Sequence, residues 1–505
     1  MSLSADTVWE LRQNGDDDNG GGFVDDEIVG GLDYSLQASA EISGSDLDRD
    51  SVDTNRVWSD AIDSWVGLGN SIDDLANNII GITGGTNFTS GKYQITGFGT
   101  DVGNGPHGQD YYLTLDRDPA SSGSQEDGVF KLGGALKSLG GLGAVLSVAA
   151  QSASGMKAFI KYSVSDYTLT SASANESGGC LDISSTEIDG DIFAIIGYDT
   201  TREESNTDTN RPRFDCGSYA PTYVIRLDPS YSKEQMIANL IIDGNSQNVI
   251  GIAADYVYGS SARNCLVIDC DGTAGFTSIK TLVACRASSC DGYGFYECGG
   301  MIGCVADNNG DSGFFEGVCA YCVADTNGGE GFEDILSATG CVAVNNTATG
   351  LVVGTTAGGV VTNCVSYGNG SGGFEVTYQH IANCISYDDG GYSFTINNSG
   401  GCVINCASDG ATSGRIDGVE FEEVDPISIT SDPFEDATGS PRDFSLNDDV
   451  NGGAKCVDAG INPVGYSWNL DVGVLEYLDT EGGSGSGGEC GEETNLGVFQ
   501  RGFIG

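Results

Sequence analysis

Two residues beyond each of three evenly spaced phenylalanines the chain carries an acid: Glu297 after Phe295, Glu316 after Phe314 and Asp334 after Phe332. If a repeating fold superposes those phenylalanines, the three carboxyls form one column with the roughly 4.8 Å spacing of adjacent strands. Like charges that close raise the pKa of one member or recruit a cation, which is what a general acid or a calcium site requires. Glycoside hydrolysis uses a carboxyl pair at roughly 5 Å or 6.5–9.5 Å. An exposed acidic strip is the simpler reading. Asp and Glu make up 73 of 505 residues, so alignment by chance is easy, and in salty solvent each such pair costs only about 1 kcal/mol. Catalysis is therefore not assigned, and the column stands as the acidic candidate.

Other chemistry is sparse. Cys319-Ala-Tyr-Cys322 has the spacing of half a zinc knuckle, but no second such pair follows, and the two histidines, His107 and His380, stand apart. "DNNGD" lacks the full calcium-loop frame. Serine-hydrolase elbows, phosphate-cradling loops and dinucleotide fingerprints are absent, so no cofactor is expected and calcium is the one ion left open. Sugar grooves tend to be lined by aromatics, yet Trp9, Trp58, Trp65 and Trp468 all lie outside the regular repeat. Tyr293, Tyr296, Tyr321, Tyr367, Tyr378, Tyr387 and Tyr392 lie within it. They suit a glycan-binding flank, and Tyr is also a common contact residue between subunits.

What must position these residues is a repeat. Eight similar lines begin at Cys265, Cys285, Cys304, Cys322, Cys341, Cys364, Cys384 and Cys406, with gaps of 20, 19, 18, 19, 23, 20 and 22 residues. A second series, Phe276, Phe295, Phe314, Phe332, Leu351, Phe374 and Phe394, keeps step through the same long gap. A period near 20 with short β-rich runs and Gly/Asn/Asp turns is a solenoid signature. Helical stripes and the leucine-rich frame are missing. The expected fold is all-β: a right-handed, single-stranded parallel β-helix whose ~20-residue coils each carry two or three short strands.

Stacking lays like over like, so an inward position must fit its own copies. Cysteine, the Ala or Ser two residues later (Ala306, Ala324, Ala343, Ser366, Ser386) and offset Phe rings all do so. Whether the cysteines or the adjacent Val305, Val323, Val342 and Val365 point inward is open. "DNNGDSG", "DTNGGEG" and "YGNGSGG" supply positive φ and side-chain-to-backbone bonds for the turns. The seventeen cysteines, an odd number in a large chain, are expected to be reduced and buried as small hydrophobes.

Acidic residues outnumber basic ones 73 to 21, a formal charge of −52. Such a surface repels nucleic acid and anionic membranes. It suits saline, marine water, where screening weakens self-repulsion. The opening residues have no basic segment followed by an apolar run, and no stretch reaches the ~20 apolar residues of a membrane span, "GLGAVLSVAA" being the nearest. A soluble chain outside the general secretory route is expected. Residues 1–50 read as an acidic, Gly-rich arm, 51–230 as irregular early coils, 231–425 as regular coils and 426–505 as a terminal cap, which an exposed last coil requires. "SIDDLANN", from Ser71, reads as a short capped helix.

The outer segments carry a resemblance. "TVWELRQNGDDDNGGGF" with "GLDYS", then "ITGGTNFTSGKYQIT", resembles the opening of β-helix proteins from tailed bacteriophages, and "DFSLNDD…VDAG…LGVFQ" is similar to the closing segment of phage and bacterial parallel β-helix proteins. The resemblance implies a virion protein assembled in the host cytoplasm, of a kind that includes tailspikes and capsid-decorating cement proteins, typically homotrimers. It further implies contacts with the major capsid protein or other virion proteins and, for a tailspike, with host surface glycan. With no catalytic signature and no compact domain legible before the coils, the expected function is a trimeric spike that decorates and stabilises the capsid surface. A tailspike that binds or depolymerises host polysaccharide is the alternative.

Overall fold

Positive-φ residues mark the corners of each coil. In the computed structural model, one coil turns at Ala284, Ser289 and Glu297, with φ of 53°, 57° and 50°, and a short strand fills each interval. Equivalent strands of successive coils pair in parallel and in register, which builds three long sheets of 14, 12 and 10 strands. The first sheet contains Thr281–Val283, Gly300–Ile302 and Val318–Ala320; the second Arg286–Ser288, Val305–Asp307 and Val323–Asp325; the third Tyr293–Tyr296, Phe314–Phe315 and Phe332–Ile335. The chain is thus a parallel β-helix, as the repeat predicts. The structure describes residues 3, 4, 6–25, 30–120, 125–146, 148, 155–171, 179–184, 192–202, 210–228, 234–254, 259–354, 359–377, 380–397, 402–409, 422–424, 427–438, 442–447, 449, 456 and 467–468. The expected closing motif "LGVFQ" and Tyr378 lie outside them.

Three files of residues fill the core. The cysteines point inward: Cys265 through Cys406 join the phenylalanines in one continuous buried cluster, whereas Val305, Val323, Val342 and Val365 belong to a separate cluster on the outer face of the second sheet. Each thiol donates to the carbonyl two residues earlier, just before the corner, as Cys304 does to Ile302 and Cys364 to Thr362 (3.7 and 3.2 Å). Cysteine is therefore small enough to stack and carries the donor that the corner lacks. The fourteen described cysteine side chains from Cys180 to Cys406 are free thiols, and all are buried. Burial holds the thiols of Cys265, Cys304, Cys341 and Cys384 in this file well above the ordinary value. The rings of Phe276, Phe295, Phe314 and Phe332 stack at 4.9, 4.8 and 4.8 Å, within 5° of parallel.

The third file is an amide ladder. Asn309, Asn327, Asn346 and Asn369, all buried, each pass a side-chain hydrogen bond to the next at 2.9 Å, and Asn369 ends the chain on Asp389 at 3.0 Å. Each Oδ1 also accepts from the backbone N–H one coil earlier, and each Nδ2 also donates to a backbone carbonyl, as Asn327 does to Ala306. This ladder explains the glycine before each core aromatic. A Cβ on Gly313 would stand 2.8 Å from the Asn327 amide nitrogen, and one on Gly331 2.8 Å from that of Asn346.

The ends depart from the sequence reading. Thr7–Leu11, expected in an arm, is a strand of the first sheet that pairs in parallel with Lys157–Lys161. Residues 42–132, expected as arm and irregular coils, instead close an antiparallel barrel of Ile42–Arg49, Arg56–Trp58, Tyr111–Leu115, Gly91–Thr100, Ile79–Gly84 and Gln125–Leu132. "ITGGTNFTSGKYQIT" is the hairpin between two of its strands and not a first coil. Strict alternation serves a hairpin and a coil equally, and only the distant closure of Ile42–Arg49 on Gln125–Leu132 tells them apart. The barrel buries Leu47, Ile80, Ile95, Leu113 and Phe130, together with Ile62 and Trp65 of the helix Asp60–Gly67. That helix is capped by Ser59, whose hydroxyl accepts from the Ala61 N–H. The helix expected from Ser71 is a single 3-10 turn, Ile72–Leu75, without a side-chain cap bond. "GLGAVLSVAA" supplies most of the helix Leu139–Leu146, whose Leu139, Leu142, Val145 and Leu146 plug the core at the first coil. Lys92, buried at the seam, donates to the carbonyls of Asp17 and Asn19 and so ties the barrel to the stack.

Candidate functional site: an aromatic and acidic flank

On the outer face of the third sheet, register places Tyr296 beside Phe315 and Phe315 beside Glu333. The Tyr296 and Phe315 rings stack at 5.0 Å and 7°, and Tyr293 leans on both at 5.1 and 5.2 Å. All three are half-buried, which makes a flat aromatic strip open to solvent on a rigid support.

Carboxyls border the strip on both sides. The predicted column lies on one of them: Glu297, Glu316 and Asp334 occupy the third corner of consecutive coils, at φ 50°, 59° and 50°. Glu316 is held above the ordinary carboxyl value by burial, then by the charges of Glu297 and Asp334. The stacking inferred from the phenylalanines therefore does bring the three together. Their positive φ adds a reason for the column that the sequence reading lacked, since each turns the chain from the third sheet into the first. Among the described residues no group of three or more His, Cys, Asp or Glu side chains is arranged to hold a metal ion.

The opposite border was not foreseen. Ser312, fully buried, accepts the Glu330 N–H at 3.0 Å. Its hydroxyl also lies 2.7 Å from Glu333 Oε2 and 3.0 Å from Glu330 Oε2. A hydroxyl has one proton to donate, so Ser312 serves one of the two carboxyls at a time, and the carboxyl that keeps its own proton to higher pH can donate instead. Glu333 is the better placed: burial holds it above its ordinary value, reinforced by Glu330, Asp311 and Asp334 and opposed by the Ser312 bond. Burial, then the charges of Glu333 and Asp311, push the Tyr293 phenol up to about 12. The flank can thus stack a ring on its aromatics and offer a proton from beside it. Glu330 and Glu333 escaped the sequence reading because they follow no ladder. Only the register that aligns Tyr296, Phe315 and Glu333 finds them.

The remaining candidates fall elsewhere. His107 lies in the barrel, 3.7 Å from Asp48 and 3.6 Å from Glu126; burial lifts Asp48 to about 6, against His107 and a bond from Gln109. His380 stands on the outer face of the first sheet, Tyr367 and Tyr387 on that of the second. Cys319 and Cys322 are core residues of two different files, both buried in the hydrophobic interior.

Fold and flank together define a parallel β-helix with an exposed aromatic face. No protein-family model matches the chain, and no curated protein matches it. Among solved structures it is similar to the A-module of the Azotobacter vinelandii mannuronan C-5 epimerase AlgE6, at 15% identity and a TM-score of 0.38 over 54% of this chain and 90% of that one. ORF18 of Geobacillus virus E2 shares 12% identity at a TM-score of 0.37, over 61% and 60% of the two chains. Tailspike protein 3 of bacteriophage CBA120 shares 10% identity at 0.25, over 63% of each. At such values the likeness carries no information about activity.

Proposed function

We propose that this chain is a surface protein of a phage particle that binds a polysaccharide along the third-sheet flank. The observation that carries the reading is the flat Tyr296–Phe315 pair, with Tyr293 at its edge, set between two rows of carboxyls. Aromatic faces hold the C–H faces of sugar rings, and carboxylates accept from sugar hydroxyls. With a charge of −52 and acids on both borders, an anionic polymer is repelled, so a neutral or amino-bearing glycan fits. The phage origin is supported by the resemblance of the terminal segments. A compact unit near the start of the chain, whose expected absence weighed against a tailspike, is present as the barrel, inserted between the first strand of the stack and the next. Decoration of the head is the finer alternative within the same resemblance, and the copy number on purified particles separates it from a spike on the tail: hundreds against few.

The test is affinity electrophoresis of the full chain in gels containing host surface polysaccharide. Retardation is expected for the native chain and is expected to vanish in Tyr296→Ala and Phe315→Ala chains whose circular dichroism is unchanged. No retardation, or retardation indifferent to both substitutions, refutes the reading. Glu333, held above its ordinary value by burial and 2.7 Å from the Ser312 hydroxyl, favours a second reading, in which the flank also cleaves what it binds. Release of reducing ends that Glu333→Gln abolishes is the result that selects it.

A further inference from the structure

The outer face of the first sheet is built on the opposite plan. Its inward residues run Ala262, Leu282, Met301, Cys319, Ala338, Val361, Ile381 and Val403, so the residues on either side of each point to solvent. From Ser261 to Ile404 those outward positions are Ser261 and Arg263, Thr281 and Val283, Gly300 and Ile302, Val318 and Ala320, Ser337 and Thr339, Val360 and Thr362, His380 and Ala382, then Ile404. Not one is a carboxylate, in a chain where Asp and Glu are 73 of 505 residues. The corner that leads out of this face continues the pattern: Asn264, Ala284, Gly303, Tyr321, Gly340, Asn363, Asn383 and Asn405 are all uncharged, whereas the corner that leads into it carries Glu297, Glu316 and Asp334 and bounds the carboxylate-free strip on that side. Of the six large hydrophobics among the described residues that stay exposed between Ser260 and Ile404, five stand on this face or at its edge: Ile302, Val318, Leu336, Val360 and Ile404, at 37–44%. The second sheet treats its apolar outer residues differently, because Phe434 and Phe444 of the C-terminal segment pack onto Tyr367 and cover it.

We infer that the carboxylate-free face of the first sheet is where a second copy of this chain docks. Two bodies of charge −52 repel wherever their carboxylates meet, and specific association must use a surface from which carboxylates are excluded. Eight coils at ~4.8 Å make the strip roughly 34 Å tall, and the strands plus their corner make it roughly 15 Å wide. Its accessible area is of the order of the ~800 Å² per partner of a standard specific interface. Flat strands with small side chains suit packing against an equally rigid copy, which loses little freedom on docking. The inference is independent of the glycan reading, since the two faces belong to different sheets.

The test is the mass of the full chain in solution by light scattering, together with an Ala320→Asp, Thr339→Asp double substitution. The native chain is expected at an integer multiple, two or more, of its 52.2 kDa, and the doubly substituted chain at a single mass with unchanged circular dichroism. A native chain that stays monomeric, or a substituted chain that assembles as before, overturns the inference. A second measurement covers the case in which the double substitution unfolds the chain. A thiol introduced by Thr362→Cys on the first sheet is expected to react with maleimide more slowly in the assembled protein than one introduced by Thr395→Cys on the third. Equal rates overturn it.

Discussion

Two corners of the same coil solve the same problem with opposite chemistry. Between the second and third sheets the chain turns at Asn308, Thr326 and Asn345, and the next residue, Asn309, Asn327 or Asn346, folds its amide into the core. Between the third and first sheets it turns at Glu297, Glu316 and Asp334, and the side chains remain outside. An amide is both donor and acceptor, so a column of amides binds itself and satisfies backbone groups on the way. A carboxylate only accepts, so a column of carboxylates repels itself. Stacking multiplies whatever a side chain brings, cohesion at one corner and strain at the other.

Asn346→Asp breaks this contrast most severely. It puts an acceptor-only group where Nδ2 now donates to Ala324 and Asn369, and leaves a buried charge without a partner. A loss of about 3–5 kcal/mol is expected, read as a fall in melting temperature and as faster amide exchange in the flanking coils. Gly313→Ala attacks the same ladder from the side, through a Cβ 2.8 Å from the Asn327 amide and 2.8 Å from the Gly331 carbonyl. Overpacking of this kind costs about 1–3 kcal/mol, and denaturant titration measures it. The acidic corner should respond in the other direction. Glu316 is held above its ordinary value of 4.5 by burial and by its two neighbours. A raised carboxyl favours the folded chain fully below the unfolded value and loses that contribution as pH rises through the folded one. Glu316→Gln is therefore expected to melt slightly higher than the native chain at pH 7, by less than ~1 kcal/mol. The difference should shrink as pH falls towards 4.5 and as molar salt is added.

The sequence revealed what repeats and concealed what does not. The cysteine and phenylalanine series locate the coils because identical residues must superpose. They leave the facing of Cys304 and Val305 undecided because both are apolar, and the positive φ at Gly303 is what turns the cysteine inward. In "DNNGDSG" the need for a left-handed turn is legible, yet nothing local says that Asn308 makes it and Asn309 builds the ladder. Glu297, Glu316 and Asp334 could be placed on one column from spacing alone, whereas Glu330 and Glu333 required the register of the third sheet. The barrel was hidden for a different reason: its closure joins residues about eighty positions apart, and short alternating strands carry no mark of their partner.

The pairing of Thr7–Leu11 with Lys157–Lys161 has a consequence for how the molecule is made. A nascent chain emerges with its N-terminus first, so this strand can meet its antiparallel partner Gly22–Val24 at once, but its parallel neighbour follows only some 145 residues later, with the whole barrel in between. Coils further on close with partners only about 20 residues away and meet a far smaller entropic barrier. The stretch synthesised earliest is thus joined to the stack only after the barrel has been made, and the coils then add onto that base in the order of translation.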